Sequence, residues 1–186
     1  MKILLVSDTH GITQRLEQLL TRYADTIDMA FHMGDYALDL LKFQHQYPKI
    51  KMYAAAGNMD QTSGRTDAPP TAIIHVPSEA FSKHNMENAS LNRQHDGLTI
   101  MAVHGHRDGV KATLTMLSLQ AQEQGAKLCF FGHTHIPKIY QTPELLIMNP
   151  GSLSDPRGGS RASYGIVTIS EDGAISGELF EFENII

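Results

Sequence analysis

Five times along this chain a short apolar run ends in a polar dyad or triad. ILLVS leads into Asp8 and His10, MAFHM into Gly34-Asp35, and MYAAA into Gly57-Asn58. LTIMAV leads into His104-Gly105-His106, and LCFF into Gly132-His133-Thr134-His135. Each run has the length and composition of a buried strand. Side chains alternate along a strand, so Asp8 and His10 are expected on one face, as are His104 with His106 and His133 with His135. Ligands gather at the carboxyl ends of strands in open α/β sheets. Five such ends therefore predict one crevice lined by carboxylates and imidazoles.

Helical patterns lie between the runs. In ITQRLEQLLTRYA, Leu16, Leu19, Leu20 and Tyr23 follow the spacing of an amphipathic helix. YALDLLKFQH, Tyr36 to His45, reads similarly through Leu38, Leu41 and His45. GVKATLTMLSLQAQEQG carries Val110, Leu114 and Leu117 on one face and ends at Gly125, a good C-cap. Alternating strands and helices predict a parallel sheet core and an α/β class. The last third adds an α+β character, because ELLIMNPGS, SYGIVTIS and GELFEFENI have no helix between them. They read as antiparallel strands joined by turns such as Glu171-Asp172-Gly173-Ala174. Between Gln61 and Gly97 stand Pro69, Pro70 and Pro77, and the polar stretch Ser78 to Asp96 reads as a long surface loop and candidate lid.

With 186 residues and no repeat, linker or low-complexity tract, the expectation is one domain spanning 1–186. A net charge of -5 argues against nonspecific nucleic-acid binding, though not against a nucleotide substrate. No run approaches the ~18 apolar residues of a membrane span. The N-terminal apolar run is short and meets Asp8 at once, unlike a signal peptide, and a single cysteine, Cys129, excludes an intramolecular disulfide. These features predict a cytoplasmic protein and leave the homo-oligomeric state open.

The residues at the strand ends are Asp8, His10, Asp35, Asn58, His104, His106, His133 and His135. Oxygen and imidazole donors without thiolates suit Mn, Fe, Zn or Ni, and are too rich in nitrogen for a pure Ca or Mg site. The set is too large for one tetrahedral metal with an open position, and it fits two metals sharing a carboxylate, with Asp35 the natural bridge. Taken singly, each motif also has a structural reading: a D-x-H strand cap, or a Gly-Asp helix N-cap.

The order DTH, GD, GN, HGH, GHTH resembles the calcineurin-like metallophosphoesterase superfamily. GNMD, HGHRDGV and GHTHIPKIYQTPELLIMNPGSLSDPRGG resemble its small, single-domain bacterial and archaeal phosphodiesterase branch. The likeness runs from Lys2 to about Tyr164, apart from the stretch Gln61 to Asp96. It implies a two-sheet β-sandwich of mixed strands flanked by helices. It also implies that Asp8, His10 and His135 hold one metal, that Asp35 bridges, and that Asn58, His104 and His133 complete the second. The expected cofactors are two divalent transition metal ions, Mn first, with Fe, Zn or Ni as alternatives. The expected reaction is hydrolysis of a small phosphodiester or nucleotide-like substrate by in-line attack of a metal-bridging hydroxide. A phosphomonoesterase on the same site and a non-catalytic protein-binding scaffold of the same fold are the alternatives.

Asp35, Asn58 and His106 are the catalytic candidates. Many superfamily members have a histidine directly after the GN asparagine, to assist the leaving group; here Met59 stands there and cannot donate a proton. His106 is the substitute candidate, its other reading being a hydrogen bond to a ligand. His32 reads as core packing or support for a ligand, and Asp60 as a turn cap or a support for a ligand histidine. Arg107 and Arg157 read as surface residues within reach of a substrate phosphate. His45, His75, His84 and His95 read as solvated or structural, Cys129 as core, and Asn149-Pro-Gly-Ser152 as a turn shaping the floor of the site.

Overall fold

The computed structural model describes residues 1–63, 67–81 and 97–183. Its elements run β1 (Lys2–Val6), α1 (Gln14–Tyr23), β2 (Met29–His32), α2 (Leu38–Leu41) and β3 (Lys51–Ala54). Then come α3 (Asn58–Ser63), β4 (Thr71–Pro77), β5 (Gly97–Val103), α4 (Thr115–Glu123) and β6 (Leu128–Phe130). The chain closes with β7 (Lys138–Gln141), β8 (Leu146–Asn149), β9 (Ser163–Ile169) and β10 (Ile175–Glu181). Two five-stranded sheets result, in the orders β10-β9-β1-β2-β3 and β4-β5-β6-β8-β7.

Alternation along the strands builds the layers. Ile3, Leu5, Phe31, Ile100, Ala102, Phe130 and Met148 point between the sheets, where the Phe31 and Phe130 rings meet edge to face at 5.4 Å. Leu4 and Val6 point the other way, onto Leu16, Leu19 and Leu20 of α1. Met101, Val103 and Cys129 likewise meet Leu117 and Ala121 of α4. Helices thus cover both outer faces of a mixed sandwich, as the resemblance implies. The parallel runs β1-β2-β3 and β5-β6-β8 aim their carboxyl ends at one edge of it.

Several local expectations change. The helix expected over Tyr36 to His45 shrinks to α2, because Tyr36 adopts φ 76 and the turns after Leu41 close by tighter i to i−3 bonds. The helix expected from Gly109 starts only at Thr115, and Val110 instead packs from a turn beneath Gly105. Gly125, at φ 62, does terminate it. Of the stretch Gln61 to Gly97, Thr71–Pro77 is strand β4, antiparallel to β5 along its whole length. It lies at the sheet edge, where Pro77 costs no ladder bond. The expected loop beyond it falls mostly on residues 82–96, outside the described residues. β9 and β10 form the expected antiparallel hairpin. β8 does not join them: it lies in the other sheet, parallel to β6 and antiparallel to β7.

Candidate metal centre

Strands β1, β2 and β6 stop two to three residues before the polar side chains they introduce, so strand alternation does not aim those side chains. A left-handed backbone does. Asp8, His10, Asp35, Tyr36, His133 and His135 have φ between 48 and 76, and no other non-glycine residue described has positive φ. Each such residue costs about 1–3 kcal/mol and persists only where its surroundings hold it. Backbone bonds supply part of that hold: Asp8 N–H to Gly34 O (3.1 Å) laces two of the loops, and Gly132 N–H to His104 O (3.1 Å) laces another two.

One ligand atom from each of Asp8, His10, Asp35 and His135 falls within a 4.8 Å cluster. Asp8 is fully buried; its Oδ2 accepts from Ser7 Oγ (2.5 Å) and His133 N–H (3.1 Å), while its Oδ1 has no hydrogen-bond partner. His135 Nε2 lies 3.1 Å from that Oδ1, and its Nδ1–H donates to Asp155 O at 2.5 Å. His10 Nε2 is buried and unpartnered too.

Asn58 and His133 gather about His104, which borders Asp35. His104 Nδ1–H donates to Met33 O at 2.6 Å, which leaves Nε2 of the neutral ring as a bare lone pair. That lone pair faces Asn58 Oδ1 (3.2 Å), Asp35 Oδ1 (3.4 Å) and Asp8 Oδ1 (4.0 Å). The His133 ring sits 5.0 Å from that of His104. His106 is half-buried, 5.4 Å from His104 and 6.2 Å from His133 between ring centroids, with an unpartnered Nδ1. Acceptor atoms crowded on one another, and buried polar atoms without partners, are groups that a cation would satisfy. The donor set therefore fits a divalent metal.

Protonation suits this role. Burial alone would raise Asp8, but the His135 contact, His104 and Ser7 outweigh it and keep the carboxyl below its ordinary range. Burial, followed by His104 and Lys111, lowers His133 to about 4. Burial also lowers His106, with His104 and Arg107 adding to it. His135 is raised: burial opposes the shift, but the close contact with the Asp8 carboxylate and its charge overcome it. A cation at Nε2 would take that proton's place.

The surrounding contacts explain the motif glycines. A Cβ on Gly57 would collide with Asp35 Oδ1 and N, and one on Gly132 with Ser7 Oγ. A Cβ on Gly34 would lie 2.7 Å from both Gly57 N and His104 Nδ1. Asp60 proves to be the turn cap, accepting from Tyr36 N–H and Ala37 N–H (2.9 Å each) and Gly57 N–H (2.8 Å). It ties the GD loop to the GN loop. Asn149 Nδ2 donates to Gly132 O (2.8 Å) and Thr134 Oγ1 (2.9 Å), and Ser152 and Ser154 hydroxyls both donate to Asp8 O at 2.8 Å.

His32 is fully buried, accepting Gly34 N–H at Nδ1 (3.2 Å) and meeting Thr9 Oγ1 at Nε2 (2.9 Å). Thr9 Oγ1 donates onward to Asp39 Oδ2 (2.7 Å), which also takes Gly11 N–H (2.9 Å). Sequence reasoning did not single out Ser7, Thr9, Asp39 or Ser154, since partners this distant along the chain leave no local signal. Arg107 bonds Gln61 and Arg157 bonds Asp155, both at the surface. His45 and His75 are exposed, His75 with Thr99 as partner. His84 and His95 lie outside the described residues. Cys129 is buried, and burial raises its thiol pKa, which suits a core residue.

Among the described residues no helix is long and apolar enough to cross a membrane. The chain is 29% identical to the probable metallophosphoesterase YsnB of Bacillus subtilis, covering 94% of this chain and 88% of that protein. It is also 29% identical to the phosphodiesterase YfcE of Escherichia coli K12, covering 90% of this chain and 87% of that one. A crystal structure of a predicted phosphoesterase from Streptococcus pneumoniae TIGR4 superposes with a TM-score of 0.67 at 25% identity, covering 96% of each chain. Residues 1–172 match the model of the calcineurin-like phosphoesterase superfamily domain, and the chain belongs to that family.

Proposed function

We propose that the protein is a dinuclear-metal phosphodiesterase acting on a small or nucleotide-like diester. The observation that carries this reading is Asp35, whose carboxylate belongs to the first cluster and also lies 3.4 Å from His104 Nε2 in the second. Asp8, His10 and His135 would hold one ion, Asn58, His104 and His133 the other, and Asp35 both. Mn is the expected metal, with Fe, Zn or Ni as alternatives that the same donors accept. When bound, the ions supply an acidified water and neutralise charge growing at phosphorus. The protein's own part is orientation: carbonyl oxygens of Met33 and Asp155 set the tautomer and direction of His104 and His135. His106, beside both second-site histidines, would hand a proton to the departing ester oxygen, a task that Met59 cannot perform. The name of the relative YfcE, a phosphodiesterase, supports diesters over monoesters.

Elemental analysis and a substrate panel test this together. Saturation with Mn should give about two ions per chain, chelator should abolish turnover, and diesters should outpace monoesters. Asp35→Ala should lose both ions, whereas Asn58→Ala should lose chiefly one. One ion at saturation would refute the dinuclear site, faster monoester cleavage would make the protein a phosphomonoesterase, and intact metal with no turnover would favour the scaffold.

A further inference from the structure

The residues beside the candidate ligands share a second property. Tyr36 follows Asp35, Met59 follows Asn58, Ile136 follows His135, and Ile12 stands two past His10; they are 37, 42, 43 and 53% exposed. Nine large apolar side chains are exposed among the described residues, so these four are a substantial share of them, collected on the ligand loops. Singly exposed apolar residues need no explanation, but a group collected around a polar centre marks a surface that meets an apolar ligand group.

Tyr36 is the most constrained of the four. Its φ of 76 is costly for a bulky aromatic residue. Its N–H is held by Asp60 Oδ1 at 2.9 Å, so the conformation is maintained by a buried carboxylate. The ring meets the His10 ring edge to face, with centroids 5.9 Å apart, and lies against Gly11, where a Cβ would approach ring carbon Cε1 to 3.4 Å. Backbone strain that presents an aromatic ring beside a candidate ligand, still more than one-third exposed, is characteristic of a binding surface rather than a core.

The geometry points to a specificity subsite in which the Tyr36 ring, with Ile12, Met59 and Ile136 exposed on the ligand loops, receives a planar aromatic substituent of the phosphoester, an aryl group or a nucleobase. This rests on the phosphodiesterase reading and adds to it the half of the substrate that is not phosphate. Stacking on one aromatic side chain changes affinity by roughly five- to a hundredfold, enough to select among diesters that the metal site treats alike.

Binding to the Mn-loaded protein tests it without turnover. Calorimetry compares phenylphosphonate with methylphosphonate, and thymidine 5′-phosphate with deoxyribose 5-phosphate, so that in each pair one member carries an aromatic ring where the other has a methyl or hydroxyl group. The ring-bearing member of at least one pair should bind about tenfold tighter, and which pair responds separates aryl from nucleobase. Tyr36→Asn removes the ring while tolerating left-handed backbone, and should erase most of that ratio; Tyr36→Phe should keep it. Met59→Ala, a second variant distant in sequence, should reduce the ratio in the same direction. Equal binding within both pairs, an undiminished ratio in Tyr36→Asn, or a loss in Tyr36→Phe as large as in Tyr36→Asn would overturn the subsite. Turnover of bis(p-nitrophenyl) phosphate, measured separately, decides the phosphodiesterase reading by itself.

Discussion

Protonating His32 should destabilise the protein from the inside of its candidate site. The ring is fully buried and accepts Gly34 N–H at Nδ1, so the bound tautomer is neutral with its proton on Nε2, donated to Thr9. A second proton would set one N–H against another and place a charge in the core. Burial lowers the group from 6.5 to about 4, despite the opposing charges of Asp8, Asp39 and Asp60. Between those values the unfolded chain binds the extra proton and the folded chain does not. The stabilising contribution is therefore complete above pH 6.5 and is lost progressively as pH falls toward the folded value near 4. Integrated with the linkage relation, the loss from pH 7.5 to 4.5 is about 2.5 kcal/mol. Urea unfolding of the metal-free protein at several pH values measures the total, and the same series on His32→Gln removes this one titration while retaining a polar side chain. Wild type should lose about 2 kcal/mol more than the variant over that range, even though the variant is less stable at neutral pH. Parallel pH profiles for the two proteins would refute the buried neutral imidazole.

Gly57→Ala forces a methyl group into Asp35, including its backbone nitrogen, which has no flexible end to move. Denaturant unfolding should show a loss of at least about 2 kcal/mol and elemental analysis a reduced Mn content; full metal loading at wild-type stability would show that the GN loop has room to spare. His106→Ala should leave metal content unchanged and slow the cleavage of alkyl esters by about 10²-fold or more, with much smaller losses on nitrophenyl esters whose leaving groups need no proton. Equal losses on both would mean that His106 positions a ligand instead.

The candidate site was legible because its donors are written as short local motifs, each following an apolar run that must become a buried strand. DTH, GD, GN, HGH and GHTH stand at strand ends, and parallel strands bring their carboxyl ends to one edge. Apolar runs of strand length, and the leucines of α1 at helical spacing, made the buried strands and a covering helix legible, whereas the division into two sheets was legible only through the family resemblance. What aims the donors was not legible. Left-handed φ at Asp8, His10, Asp35, His133 and His135 depends on loops packed against one another, and local propensity disfavours it at every one of them. Edge strands β4 and β7 were missed or misplaced because exposed side chains carry little hydrophobic periodicity, and their identity comes from the ladder bonds of a neighbour. The partners Thr9, His32 and Asp39 come from three separate segments, and Asp8 and the two serines at 152 and 154 come from two. Residue type and local spacing determined which groups this chain offers to a metal. Only the tertiary structure decided their orientation, because the hydrogen bonds and close approaches that orient them join residues far apart along the chain.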